Sequence, residues 1–167
     1  MLKHFLDLAT PGVRGLKPYQ PGKPISELER EYGVSGIVKL ASNENPLGPS
    51  PQAVEAITAA LGDLGLYPDA NGFDLKARLA RRHGVGPECI TLGNGSNDVL
   101  VLLAEAFLRP DLAAVFSQYA FAVYPIATQA AGAESRIAPA IAPDLPGAYG
   151  HDLDAMVGLL DDLSLIH

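Results

Sequence analysis

The sequence predicts an α/β fold, a mostly parallel sheet with flanking helices preceded by an extended amino-terminal arm. Three observations carry that prediction. From residue 88 onward, short apolar runs alternate with helical periodicity, the pattern of βαβ units. A strand–turn–helix pattern over Cys89–Leu108 hinges on two glycines, Gly93 and Gly95. Hydrophobic residues make up 48% of the chain and charged residues 19%, the mix of a soluble globular protein, and no apolar run is long enough to cross a bilayer.

The arm spans residues 1–36. Pro11, Gly12, Pro18, Pro21, Gly22 and Pro24 interrupt any periodicity, and only Ile25–Tyr32 reads as a short helix. Such an arm packs against something else, often a partner subunit, because it cannot bury itself. Residues 37–167 form the second region. It opens with the apolar run Ile37–Ala41, which ends in Asn43, Glu44 and Asn45; Pro46 then biases Asn45 toward an extended conformation. Polar groups held at such an exit suit a polar ligand. The same residues also describe a turn followed by a helix cap.

Ser50 suits a helix cap and Pro51 the first helical position, with Ala53, Val54, Ile57, Ala60 and Leu61 on one face. A loop over 62–72 contains Leu66-Tyr67-Pro68-Asp69. A helix follows over Phe73–His83, with Leu75 and Leu79 inward and Gly84 as its stop. Cys89–Leu92 reads as a buried strand, Gly93–Ser96 as a tight turn, and Asn97–Leu108 as a helix with Val99, Leu102, Leu103 and Ala106 at helical spacing. Ala113–Ser117 is a strand, Phe121–Ala131 a helix, Glu134–Ile141 a strand and Leu153–Leu163 a helix capped by Asp152.

Charge and composition narrow the function classes. The net charge is −7, and Arg78, Arg81 and Arg82 lie at helical spacing as a solvated face, so no nucleic-acid surface is expected. The single cysteine, Cys89, forms no internal disulfide and reads as a buried small hydrophobe, which points to a reducing cytoplasm. Met1–Thr10 lacks a signal-peptide pattern. The four histidines are scattered without metal-ligand spacing, and no Gly-x-Ser-x-Gly elbow is present.

The Gly93–Asn97 turn is the strongest candidate for binding chemistry. Gly93 and Gly95 let the backbone turn sharply and approach a ligand, Ser96 offers a hydroxyl, and the amides of Ser96 and Asn97 open a helix whose positive end attracts an anion. The spacing is neither a P-loop nor a dinucleotide fingerprint, which disfavours a dinucleotide-binding module. An ordinary βα loop capped by Ser96 has the same residues, and Asp98 in the first turn suits that alternative. Phe121 follows the strand that ends at Ser117, at the end of the sheet where ligands of open α/β folds bind, so its ring can stack on a planar ligand or pack in the core.

Lys39-Leu40-Ala41-Ser42-Asn43-Glu44-Asn45-Pro46-Leu47-Gly48-Pro49 resembles the amino-terminal signature of the histidinol-phosphate aminotransferases, fold-type I enzymes that use pyridoxal 5'-phosphate. The resemblance runs from about Pro18 to Leu163 and covers only the first part of the family pattern. It implies a partial fold-type I large domain. It implies that Gly95, Ser96 and Asn97 cradle the cofactor phosphate and that Phe121 stacks on the cofactor ring. Tyr67 matches a tyrosine whose hydroxyl reaches the phosphate in the neighbouring subunit, which implies a homodimer. Tyr19, Asn43 and Glu44 match positions on the substrate side. The family reaction, in histidine biosynthesis, moves an amino group from a small-molecule donor, histidinol phosphate, to 2-oxoglutarate.

The lysine that bonds the cofactor aldehyde in the family has no counterpart among Lys3, Lys17, Lys23, Lys39 and Lys76, so no catalytic residue is assigned. The 167-residue chain by itself is expected to be inactive, and to be aggregation-prone or partly unfolded because part of such a domain leaves a strand edge and apolar faces uncovered. Related enzymes with the same signature act on aromatic amino acids or decarboxylate threonine phosphate. A fragment that binds an anion or a partner without chemistry is the remaining alternative.

Overall fold

The computed structural model describes residues 5–40, 42, 44–162 and 164–166. In chain order its elements are a 3-10 turn Phe5–Leu8, helices α1 Pro11–Arg14, α2 Ile25–Tyr32, α3 Pro51–Ala60, α4 Phe73–His83 and α5 Ser96–Phe107, strand β1 Ala113–Ser117, helix α6 Val123–Ala131, strand β2 Glu134–Ala138, helix α7 Leu153–Gly158 and strand β3 Ser164–Ile166. Further 3-10 turns lie at Leu61–Asp63 and Pro87–Cys89. The chain divides into two compact units, residues 1–19 with 88–167, and residues 20–87.

The first unit holds the sheet. Its order is β2-β1-β3 and both pairings are parallel, with Ala113 opposite Glu134 on one side and Ser164 on the other. All five residues of β1 are buried, as expected of a central parallel strand covered on both faces. Ala114 and Phe116 pack with Ala104 of α5, with Leu108 just after it, and with Tyr124, Ala127 and Ala131 of α6. The alternate residue Val115 packs with Ala138, Met156, Ala155 and Leu159 on the α7 side. Arg136 of β2 fastens β3: its guanidinium meets Asp161 Oδ2 at 2.7 Å and donates to Ser164 Oγ at 2.9 Å and the Leu159 carbonyl at 3.2 Å.

The arm is less extended than the sequence suggests, since α1 docks on α6. Gln129 Nε2 donates to the Gly12 carbonyl at 3.2 Å. A Cβ on Gly12 would fall 2.1 Å from the Gln129 carbonyl oxygen, so only glycine permits this approach.

Three further expectations are corrected. Cys89–Leu92 is not a strand; Cys89 ends a 3-10 turn and is exposed. A parallel strand exists only by pairing, and β2 and β3 take both edges of β1. The inward face of α5 is Ala104 with Leu108 just beyond its end, whereas Leu102 and Ala106 are exposed. Helix α7 stops at Gly158, which frees the chain to enter β3.

The second unit is helical. Ser50 Oγ accepts from the Ala53 amide at 3.1 Å and Pro51 sits at the first helical position of α3, as its sequence predicts. Helix α4 has the predicted bounds, although Leu75 is exposed and Leu79 only half-buried. The α4 amino terminus is capped from upstream: Asp69 Oδ2 accepts from the Phe73 amide at 2.6 Å and Oδ1 from Asn71 at 3.0 Å. Those amides, Phe73 first, hold the Asp69 carboxyl below its ordinary value of 3.8. The sign follows from linkage: the cap is complete above the unfolded carboxylate value and is lost as pH falls through the lower folded one. The Phe73 amide shift in an NMR titration is therefore expected to move with a midpoint below pH 3.8. Asp69→Asn, which caps without titrating, is expected to abolish that movement.

Candidate functional site

The Gly93–Asn97 turn is built by two different glycine requirements. A Cβ on Gly93 would lie 2.8 Å from Val99 Cγ2 and 2.9 Å from Asp98 Oδ2, so the first turn of α5 closes over this residue only because it has no side chain. Gly95 has φ 86° and ψ 172°, a region that is essentially glycine-only. The Gly95 amide donates to the Gly93 carbonyl at 2.8 Å, which tightens the turn. A Cβ on Gly95 would meet none of the described residues within 4 Å, so the turn is open on that side.

Gly95, not Ser96, is the residue that caps α5, and it brings no side chain to the task. The amides that open this 12-residue helix lack intrahelical partners by geometry, and Gly95, Ser96 and Asn97 are all exposed. Asp98 turns back toward the loop, where its Oδ2 accepts from the Asn94 amide at 2.9 Å. Its charge offsets part of the helix dipole while its oxygen is engaged upstream of Ser96. The arrangement is an exposed helix amino terminus with a glycine approach, suited to a phosphate monoester.

Phe121 stands after β1 in the turn leading to α6 and is half-exposed. Its ring packs edge-on with Tyr19, with centroids 5.5 Å apart and planes at 67°. Tyr19, in the amino-terminal arm, is thus brought to Phe121 by the fold. A cavity of about 480 Å³ lies past the carboxyl end of β1, lined by Ser117, Tyr119, Ala120, Phe121, Tyr124 and residues of the α7 region. Burial raises the Tyr124 phenol above its ordinary value. Phe121 therefore has an open hollow beside it instead of a filled core.

The other sequence candidates lie in the second unit. Tyr67 is fully exposed at the tip of its loop. Glu44 is exposed and accepts from Lys39 Nζ at 2.7 Å. Asn45 serves its own turn, accepting from the Leu47 amide at 3.0 Å and donating to the Gly48 carbonyl at 3.2 Å. Residues 37–40 of the apolar run before it form no strand, and Leu40 is 94% exposed. Asn43 lies outside the described residues. Among the described residues no group of histidine, cysteine and carboxylate side chains is placed to hold a metal, and no helix is long and apolar enough to cross a membrane. Ser117, which lines the cavity, carries no motif. Its only signal in the sequence is its place at the carboxyl end of a strand.

No protein-family model matches the chain. It is 60% identical over 154 residues to histidinol-phosphate aminotransferase 2 of Methylococcus capsulatus, covering 92% of this chain and 42% of that protein. It is 59% identical over 162 residues to histidinol-phosphate aminotransferase 2 of Pseudomonas aeruginosa, covering 96% and 42%. The fold matches the crystal structure of histidinol-phosphate aminotransferase from Sinorhizobium meliloti in complex with pyridoxal-5'-phosphate, with a TM-score of 0.75 at 25% identity over 95% of this chain and 40% of that one. The chain thus spans about two-fifths of the length of the curated relatives it matches, and it corresponds to their amino-terminal portion with a partial fold-type I aminotransferase fold.

Proposed function

We propose that this chain, similar over nearly all its length to the amino-terminal portion of histidinol-phosphate aminotransferases, is the corresponding part of such an enzyme and holds the phosphate of pyridoxal 5'-phosphate. The reaction it serves transfers an amino group from histidinol phosphate to 2-oxoglutarate in the cytoplasm. The observation that carries the reading is the open Gly95 turn: a glycine-only backbone at the start of a long helix, with space in front and no side-chain cap.

The residues present fit the group. The Ser96 and Asn97 amides and the Ser96 hydroxyl take the phosphate oxygens, with the helix dipole adding to the attraction. Phe121 offers an aromatic ring to the planar heterocycle, and Tyr19 braces that ring through a T-shaped contact. When bound, the cofactor supplies the electron sink that amino-group transfer needs. Residues 1–36 act as the arm of residues 37–167. Tyr67, free of packing in its own loop, is assigned to the phosphate of a second subunit in a homodimer, and Tyr19, Asn43 and Glu44 to the substrate side. Lys39 holds Glu44 in the chain as it stands, so a substrate that uses Glu44 must share or displace that contact.

For the 167 residues alone, the same geometry supports anion binding without turnover. Lys23 and Lys39 are both engaged by carboxylates, Glu31 and Glu44. Calorimetric titration with pyridoxal phosphate is expected to show saturable binding that inorganic phosphate competes away, with no turnover. Absence of competition would remove the phosphate site. Turnover by the chain alone would refute the non-catalytic expectation. A full-length enzyme containing this segment is expected to prefer histidinol phosphate over phenylalanine and threonine phosphate. Preference for either of the others would move the substrate assignment to the aromatic aminotransferases or the threonine-phosphate decarboxylases.

A further inference from the structure

The arm meets α6 at both ends of that helix. At the carboxyl end, a Cβ on Gly12 would fall 2.1 Å from the Gln129 carbonyl oxygen and 2.9 Å from that of Ala130, so α1 touches the backbone of the last helical turn. The Gln129 side chain donates to the Gly12 carbonyl across 117 residues of sequence. At the amino end, the Tyr19 ring packs on Phe121, just before α6 begins at Val123. Both rings are 53% exposed, and no residue from Pro11 to Tyr19 is buried. Ordering one residue of backbone costs about as much as an exposed ring pair returns, so the Tyr19–Phe121 contact cannot hold the arm by itself. The close approach at Gly12 supplies the second point of attachment. The seven residues from Gly12 to Tyr19 reach at most roughly 25 Å, and the nine residues of α6 run roughly 13 Å. An arm anchored at Gly12 therefore keeps Tyr19 in the neighbourhood of Phe121 at high effective concentration.

We propose that α1 is the anchor that sets Tyr19 on Phe121, with Gly12 as the positioning residue. The missing side chain lets the arm dock on α6, and the dock fixes the aromatic pair at the far end of the same helix. This rests on the reading of Phe121 as the platform for a planar ligand ring. Gly12 touches no ligand and acts only through Tyr19.

Two probes separate positioning from general stability. Pyridoxine 5'-phosphate carries a ring and no aldehyde to react with lysines, and inorganic phosphate carries no ring. Tyr19→Ala is expected to lose about threefold in pyridoxine phosphate affinity, the worth of one aromatic pair, and nothing in inorganic phosphate affinity. Gly12→Ala is expected to show the same loss and the same selectivity. The double variant is expected to lose no more than either single one, because both remove one interaction. In NMR spectra without ligand, the Phe121 ring protons of Gly12→Ala are expected to shift toward their positions in Tyr19→Ala.

Additive losses in the double variant, or an equal loss for inorganic phosphate, would overturn the proposal. So would wild-type ester affinity in Gly12→Ala together with weakened binding in Phe121→Ala, an outcome that leaves the ring platform standing. If Phe121→Ala binds the ester as wild type does, the platform itself fails and the positioning role falls with it. Should Gly12→Ala not fold, deleting residues 1–15 supplies the comparison. That deletion removes α1 and keeps Tyr19, and neither core cluster includes an arm residue. It is expected to give the same threefold loss of the ester alone, and wild-type affinity in the deleted chain would likewise overturn the proposal.

Discussion

Phe116→Ala is expected to cost the sheet unit about 3–5 kcal/mol, as removal of a well-packed aromatic does. Phe116 is 3% exposed, the fourth of the five residues of β1. Its neighbours in the cluster are chiefly Ala104, Ala114 and Leu108, and its ring lies 5.9 Å from that of Tyr124. Two of those neighbours are alanines, which cannot reach into a vacated space. An apolar groove of about 190 Å³ already borders Phe116 between α5 and α6, so the new void would join it and collapse poorly. Typical domains hold only about 5–15 kcal/mol in total, so the loss takes a large share of the unit's stability. Ile137, directly opposite Phe116 in the β1–β2 register, is 53% exposed. Ile137→Ala is expected to cost roughly 0.5 kcal/mol, as surface changes do. Hydrogen exchange at the Val115 amide reads both variants within the sheet unit. Similar protection in the two would contradict the packing assigned to β1.

That contrast also marks what the sequence reveals. β1 has its predicted bounds because five small and apolar residues lie between turn signals. Helix α4 is equally legible from its periodicity and its glycine stop at Gly84. Which apolar run becomes a strand is less visible. Cys89–Leu92 and Ala113–Ser117 look alike locally, and only the second finds partners on both sides. The α5 face was unreadable for another reason: residues 99–104 are all apolar, so periodicity has no polar phase to fix it. At the candidate site, the Gly95 turn and Phe121 were legible as motif and resemblance. The Tyr19–Phe121 contact and the buried Ser117 hydroxyl arise only when distant segments close together, and no local pattern announces them.

Gly95→Val is expected to abolish phosphate binding, by at least about tenfold, and to lower the melt without ligand. The second effect is strain: a residue with a Cβ at φ 86° and ψ 172° carries about 1–3 kcal/mol whether or not an anion is present. The first is steric, because a branched side chain fills the open space before Ser96 and Asn97. Asn97→Asp separates binding from stability. A carboxylate in the first turn of α5 favours the helix by about 0.3–1 kcal/mol but repels a phosphate at the same amides. Stability is therefore expected to hold or rise while affinity for inorganic phosphate falls, opposite signs that general misfolding cannot produce. Phosphorus NMR titration reads the affinity and a thermal melt reads the stability. Gly95→Val with wild-type phosphate affinity, or Asn97→Asp with unchanged affinity, would show that the anion is held elsewhere than at the start of α5.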